Sequence, residues 1–516
     1  MTYTLPTTWS KQQAAFINWA HRGSGSCVLI AVAGSGKTTT FLGAVAGMRG
    51  KTAIMAYNNK IAAEIELKLN DLGISTEFTK TPDGRWIGPR VTSGTVHSYG
   101  FKAIRKFCPG VKVDEDHVKV RDIFIKLAGV DHPYQAIVVK LVSLAKQRAV
   151  GAPGICGLHD HAAWMDIITH FDLIDEELDV EGDTVDEIIS LAQRTLKANN
   201  LVTNFVDFDD MVYLPLVHPM RHFQYNNVIV DEAQDTNPAR RELVKKLLVP
   251  GGRLMAVGDP RQAIYGFTGA DNDSLDLIRQ DFKAIELPLT VTYRCPKAVV
   301  AFAHQWVSHI EAHESAIEGT VSQMAWEALL TAKPTSADAI LCRNTKPLVQ
   351  AAFALIRARI PCKIEGRDIA ASILRLARKW KSAKTIDAYE KRLDTFFSTQ
   401  SKKLEGTKLQ ILEDMVATMH VVMDQVKSTG GAHMTQVCDA IDGLFAENVE
   451  GVVTLSTIHK SKGREWKNVY WLNRHSTCPS KYAKQAWEVA QEVNLCYVAA
   501  TRAMENLIDL TMAVAG

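Results

Sequence analysis

"AVAGSGKTTT", residues 31–40, is the stretch on which the reading of the fold turns. Gly34, Ser35 and Gly36 let backbone N–H groups curl around an anion, Lys37 brings a charge to it, and Thr38 adds a hydroxyl suited to Mg²⁺. An apolar run, "CVLIAVA" (27–33), leads in, and "TTTFLGAVAGM" leads out. The order is therefore strand, phosphate loop, helix, with the positive helix N-terminus aimed at the anion. The general form of such a loop has a glycine five places before Gly36, and Ala31 stands there instead.

Outward from the loop, "TAIMAY" (52–57) predicts a second strand feeding the helical periodicity of "NNKIAAEIELKLN". "NVIVDEAQD" (227–235) and "GRLMAVGDP" (252–260) each read as an apolar strand ending in acidic and turn residues. Strands alternating with helices predict a parallel α/β sheet, whose ligands gather at the carboxyl ends of its strands. Between about 101 and 200 the pattern turns to long amphipathic stretches such as "HPYQAIVVKLVSLAKQRAV", a helical insertion. After residue 286 a second strand–helix series begins, with "ADAILCR" (337–343), "VVTLST" (452–457) and "NVYWL" (468–472). A mainly helical block near 370–447 interrupts it.

Composition sets outer bounds. The 516 residues suggest about three to four domains. A hydrophobic content of 47% with 22% charged residues is that of a globular chain. No apolar run approaches the roughly 20 residues of a membrane span, and the N-terminus carries no signal-peptide pattern, so a cytoplasmic protein is expected. The 9 cysteines are scattered without a CxxC pair, which favours reduced thiols. Cys156, His159 and His161 lie close together without a fourth ligand nearby, which reads better as a surface loop than as a metal site. A net charge of +2 neither demands nor excludes nucleic acid, because local patches decide.

Asp231, at a strand end, is placed to hold Mg²⁺ through water, and Glu232 beside it to orient and deprotonate an attacking water. Through these residues and onward in order along most of its length, the chain resembles the UvrD/Rep/PcrA-type superfamily 1 DNA helicases. Their loop has the form A-x-A-G-S-G-K-T, so Ala31 matches the family, and the resemblance implies that Ala33, Gly34, Ser35, Gly36, Lys37, Thr38 and Thr39 hold the nucleotide. The resemblance implies that Gln12 in "SKQQAAF" reads adenine, with Gln13 the alternative. It implies that "AYNNKIA" (56–62) and "TSGTVHSYG" (92–100) contact DNA through Tyr57, Asn59 and His97. "DFDDMV" (207–212) resembles the point of re-entry into the first motor domain. In "VGDPRQAIYGFTGAD" (257–271), Gln262 would sense the γ-phosphate while Tyr265 and Phe267 meet bases. In "LTVTYRCP" (289–296), Tyr293 would stack on adenine and Arg294 reach the γ-phosphate. Glu465 in "STIHKSKGREWKNVY" is implied at the ribose, and Arg502 in "EVNLCYVAATRA", near Tyr497, as a second arginine finger.

The resemblance thus implies two RecA-like motor domains with parallel sheets, each carrying a helical insertion. The expected boundaries are 1–100 with 201–286, insertion 101–200, then 287–369 with 448–516, and insertion 370–447. It implies ATP and Mg²⁺ as cofactors, and a monomer that moves 3′→5′ on single-stranded DNA and meets single-strand/duplex junctions alongside replication or repair proteins. Two alternatives stand beside unwinding: a translocase that strips proteins from DNA, and an ATP-gated remodelling factor acting on a protein. A GTPase fits badly, since "NNKIA" lacks the acid of a guanine-reading segment. Thr39 departs from the family's adenine-sandwiching arginine, Thr268 from its F-R-G-A stretch, and Val493-Asn494 from an arginine pair. Basic "RLARKWKSAK" (375–384), with Trp380, reads either as a nucleic-acid contact or as a solvated face with a buried tryptophan. Lys146 and Arg148 are weighed as phosphate contacts on the same terms. His97 and His459 receive no catalytic role.

Overall fold

The computed structural model describes residues 2–512 apart from 81, 82, 84, 85, 175–182, 267, 268, 270, 272 and 446–450. The chain divides into two compact units, residues 1–32 with 36–289, and 33–35 with 290–516.

The first unit is built on six strands, β1 (Cys27–Ala31), β2 (Thr52–Ala56), β3 (Val91–Thr95), β4 (Tyr225–Val230), β5 (Leu248–Gly258) and β6 (Ile285–Leu289). They lie in the order β6-β1-β5-β4-β2-β3, and every pairing is parallel. Both faces are covered, which is why the strands read as nearly continuous apolar runs. Period-two alternation sorts them. Leu29, Ile54 and Ile229 face a core with Phe41, Leu42 and Val45 of α2 (Lys37–Gly47) and Phe16 of α1 (Lys11–Arg22). Their neighbours Val28, Met55 and Val228 face the opposite core with Leu243 and Leu247.

Helices α3 (Asn59–Asp71) and α4 (Val96–Phe107) follow β2 and β3. The insertion consists of α5 (Lys119–Ala128), α6 (Gln135–Gln147), α7 (His161–His170) and α8 (Asp183–Leu201), and α9 (Phe208–Val217) and α10 (Pro238–Leu247) return the chain to the sheet. The insertion has a core of its own around Phe124, Leu141, Trp164 and Leu196. Beneath that core lies a buried ionic network. Lys119 Nζ meets Asp210 Oδ2 at 2.6 Å, and Lys146 Nζ meets Asp207 Oδ2 at 2.6 Å and Asp210 Oδ1 at 2.8 Å. Lys146 is 0% exposed, so it does not contact phosphate; it anchors the "DFDDMV" segment. Arg148 pairs with Asp166 at 3.1 Å. His159 bonds Gln193 and His161 bonds Asp186.

The second unit repeats the plan with β7 (Thr320–Ala325), β8 (Asp338–Cys342), β9 (Cys362–Glu365), β10 (Val453–Thr457), β11 (Trp466–Leu472) and β12 (Ala503–Thr511). Their order is β7-β12-β11-β8-β10-β9, again with all pairings parallel. Helix α11 (Thr345–Arg357) covers the sheet. The block contributes α12 (Arg367–Ala377), α13 (Ile386–Gln400), α14 (Gly406–Ser428) and α15 (Met434–Leu444), and α16 (Ala486–Ala500) precedes β12. The block shares one continuous core with the sheet, in which Leu348 and Leu355 meet residues such as Val416 and Met419. Folding also brings Cys478 and Cys496, both buried, to a Sγ–Sγ distance of 3.5 Å as free thiols.

Candidate functional site

The phosphate loop follows β1 directly. Gly34 (φ 70°) and Gly36 (φ 76°) both hold left-handed backbone that a side chain would strain, and Gly36 caps α2. Ser35 is buried, and its Oγ has no hydrogen-bond partner among the described residues. An orphaned hydroxyl in a glycine-rich loop at a helix N-terminus is a donor that a phosphate oxygen would satisfy. Thr38, on the first turn of α2, lies half-buried after Lys37.

Three neighbouring strand ends then assemble an acidic network around Lys37. Lys37 Nζ donates to Glu232 Oε1 at 2.8 Å, and Gln234 Nε2 donates to Glu232 Oε2 at 2.5 Å. Gln234 Oε1 accepts the Asp259 N–H at 3.1 Å, and Gln262 Nε2 donates to Asp259 Oδ2 at 2.7 Å. Burial works against the Lys37 charge, yet the carboxylates of Glu232, Asp231 and Asp259 outweigh it and hold the ammonium above its ordinary value. Burial pushes the Asp259 carboxyl up, against Lys37 and the Gln262 hydrogen bond. Glu232 itself sits at φ 52°, ψ 42°, a left-handed backbone that glutamate rarely adopts and that costs of order 1–3 kcal/mol. The strain aims its carboxylate at Lys37. Buried Asp231 accepts the Glu232 N–H at 3.0 Å. Thr38 and Asp231, one hydroxyl and one carboxylate, suit Mg²⁺, which keeps several waters and takes other ligands from substrate phosphates.

Gln234 and Asp259 were absent from the sequence-based set. Their signal was available, since "DEAQD" and "VGDP" close adjacent strands of one parallel sheet.

At the N-terminus, Ser10 and Gln13 form a reciprocal helix cap, and Gln13 Oε1 accepts the Ser10 N–H at 3.1 Å. Gln12 is half-buried beside it. Thr39 Oγ1 accepts a hydrogen bond from Tyr3 Oη at 3.2 Å.

The residues expected at DNA form a second group in the same unit. The rings of Tyr57 and Tyr265 stack at 5.3 Å between centroids and 13° between planes. Asn58 caps α3, leaving Asn59 exposed at its first position. Phe267 and Thr268 lie outside the described residues. His97 lines a small pocket with Tyr57, Asp231, Glu232, Asp235 and Arg240. Burial, with the Arg240 guanidinium, pushes its imidazole down to about 3. His97 is therefore neutral at physiological pH and offers no cation to a phosphate.

The sign of that shift makes a prediction. Between pH 6.5 and about 3 the unfolded chain takes up a proton that folded His97 refuses, so stability falls as pH falls through this window. His97→Gln should flatten the fall, read as a smaller difference between urea midpoints at pH 7 and pH 5. His459, also pushed down to about 3, is present in both chains and cancels from the comparison.

In the second unit Tyr293 is 45% exposed and packs on His313 at 4.7 Å between ring centroids. Arg294 pairs through Nε with Glu465 Oε2, so the two side chains expected at phosphate and ribose hold each other. Arg502 is 1% exposed, and its guanidinium donates to Val498 O, Arg464 O and Thr501 Oγ1 at 2.9, 3.2 and 3.1 Å. Tyr497 is fully buried.

Strand, phosphate loop and helix, with an acidic pair and a glutamine at the ends of neighbouring strands, give the first of two parallel-sheet units the architecture of a phosphate-loop fold. Residues 9–283 match the model of the UvrD/REP helicase N-terminal domain, and residues 364–513 that of the UvrD-like helicase C-terminal domain. The chain belongs to the UvrD/Rep helicase family. It is 27% identical over 312 residues to the ATP-dependent DNA helicase srs2 of Schizosaccharomyces pombe, covering 54% of this chain and 33% of that one. It is 23% identical over 306 residues to DNA helicase II of Haemophilus influenzae, covering 55% and 38%. To the ATP-dependent DNA helicase Rep of Escherichia coli it is 36% identical over 110 residues, covering 20% and 16%. The matched stretches thus span well under half of these relatives' lengths. No described helix is long and apolar enough to cross a membrane.

Proposed function

We propose that this protein is an ATP-driven motor that moves 3′→5′ along single-stranded DNA and separates duplex at a junction. The observation that carries the reading is the bonded chain Lys37–Glu232–Gln234–Asp259–Gln262. It runs from the phosphate loop to a point three residues before Tyr265, which stacks on Tyr57. A change in what Lys37 and Glu232 hold is felt along that chain by the segment carrying the stacked ring.

Ala33, Gly34, Ser35 and Gly36 would present amides and the Ser35 hydroxyl to phosphates, and Lys37 would leave Glu232 to meet the β- and γ-oxygens. Glu232, freed, orients and deprotonates water, and Gln262 senses the γ-phosphate. Thr38 and Asp231 would hold Mg²⁺, which supplies charge neutralisation on the phosphates when bound. Gln12 would read adenine, with Thr39 nearby. From the second unit Tyr293 would stack on the base, Glu465 hold the ribose, and Arg294 and Arg502 add positive charge at the γ-phosphate. Arg294 and Glu465 would exchange their mutual ion pair for those contacts. Tyr57, Tyr265, Phe267, Asn59 and neutral His97 would form the DNA track, in which bases replace the tyrosine–tyrosine stack.

Replication or repair proteins would be its partners, and the cytoplasm or nucleoid its place. The test is ATP turnover with and without oligothymidine, alongside strand separation on duplexes with a 3′ or a 5′ tail. Turnover should rise with DNA, and the 3′-tailed duplex should open. Tyr265→Ala should weaken oligothymidine binding by about 1–3 kcal/mol, roughly the loss of one stacked base. Absence of DNA stimulation would overturn the motor reading in favour of a remodelling factor acting on protein. Stimulation without strand separation would point to a translocase that strips proteins from DNA.

A further inference from the structure

A groove in the second unit, remote in sequence from every residue of the proposed track, has the chemistry of a nucleic-acid site. Helix α13 sorts its side chains into three stripes. Ile386, Tyr389 and Leu393 are buried in the core. Asp387, Glu390 and Asp394 turn toward α14, where Lys427 Nζ meets Asp387 at 3.0 Å and Glu390 at 2.7 Å, and His420 meets Asp394 at 3.0 Å. The third stripe, Arg392, Thr395, Phe396, Thr399 and Gln400, forms one wall of an open groove of about 470 Å³. Lys379 and Trp380, from the loop before α13, form the other wall.

The acids of this helix are therefore spent on α14, while the cations stand on the groove side. Lys379 Nζ lies 4.7 Å from the Phe396 ring centroid and 5.9 Å from that of Trp380. The Trp380 and Phe396 rings meet edge to face at 5.7 Å, and Arg392 Nη1 donates to the neutral Ser382 Oγ at 2.7 Å. Arg375, Arg378, Lys381, Lys384 and Lys391 are exposed in the same segment. Among the described residues, neither these five side chains nor Lys379 and Arg392 meet a carboxylate.

We propose that this groove binds single-stranded DNA as a second site, with bases stacking on Trp380 and Phe396 and phosphates meeting Lys379 and Arg392. Free cations alone would suit any polyanion. Aromatic rings between them select one whose flat apolar groups are unpaired, because duplex bases are stacked inside the helix and cannot reach a protein ring.

The test uses the full chain and oligothymidine carrying 5-iododeoxyuridine. Irradiation should link the oligonucleotide to the peptide containing Trp380 or Phe396. The doubly neutralised variant Lys379→Gln/Arg392→Gln changes exposed side chains and leaves the core intact. It should reduce the slope of log affinity against log salt by about 1.4, two phosphates at about 0.7 each for single strands. ATP turnover at saturating oligothymidine should not change, since that reads the Tyr57–Tyr265 track. Crosslinks confined to the track with an unaltered salt slope would overturn the proposal, as would duplex DNA competing as well as oligothymidine. A crosslink at Trp380 in a protein whose turnover ignores DNA would sustain this site while sinking the motor reading.

Discussion

Glu232→Gln is expected to leave nucleotide binding intact and to slow hydrolysis by about 10²- to 10⁴-fold, the range for loss of a positioned general base. Glu232 uses both carboxylate oxygens as acceptors, one from Lys37 and one from Gln234. A glutamine can accept at one of those places only. Its amide N–H would confront either the Lys37 ammonium or the Gln234 amide, so the network loosens at the step where water must be oriented. Binding survives because the phosphate loop, Lys37 and Thr38 are untouched, and losing a negative charge beside Lys37 favours an anionic ligand. The check is a pair of measurements, equilibrium binding of a fluorescent ATP analogue and phosphate release in a single turnover. Retention of more than a third of the single-turnover rate would remove Glu232 from the base role. Its left-handed backbone adds a control: Glu232→Ala, which lacks the carboxylate altogether, should match the glutamine variant in rate if the carboxylate is what matters.

Much of this site was legible because its residues punctuate strands. A parallel sheet puts every strand's carboxyl end on one edge, so "AGSGKT", "DEAQD" and "GDPRQ" had to converge once β1, β4 and β5 were recognised. The strands with long apolar runs were equally visible, β8 with all five residues buried being the clearest. Edge strands were not. β3 reads "VTSGT" and β7 "TVSQMA", polar strands at the edges of their sheets, so composition does not distinguish them from loops. Side-chain partnership was also invisible. A lysine at the end of an amphipathic helix reads as solvated, yet Lys146 is buried because three residues far along the chain, Asp207, Asp209 and Asp210, fold over it. The Arg294–Glu465 pair and the Cys478–Cys496 contact likewise join positions that no local pattern connects.

The network under the first insertion should make Asp210 the most stability-critical acid of the first unit. Its carboxylate is 0% exposed and accepts from Lys119, Lys146 and Asn199. Among the described residues, Asp210→Ala leaves buried Lys119 with only the Val202 carbonyl at 2.8 Å, and Lys146 with its ion pair to Asp207. Removing one partner from a buried ionic cluster costs about 3–5 kcal/mol, because the remaining charge has neither water nor counter-ion. Urea denaturation at pH 7 should show that loss, while the folded fraction keeps its nucleotide affinity. The double variant Lys119→Met/Asp210→Leu should recover much of the stability, since it removes a charge of each sign and fills the space with apolar groups. The pH dependence has a definite sign. Burial by itself would raise the Asp210 carboxyl, but the Lys146 and Lys119 ammonium groups outweigh it and hold it below 3.8. The stabilisation from its charge is then fully present above pH 3.8 and is lost as pH falls through the lower folded value. The gap between the unaltered chain and Asp210→Ala should accordingly be widest near neutrality and close in strong acid. A gap that stayed constant down to pH 2 would show that Asp210 acts through packing rather than through its charge.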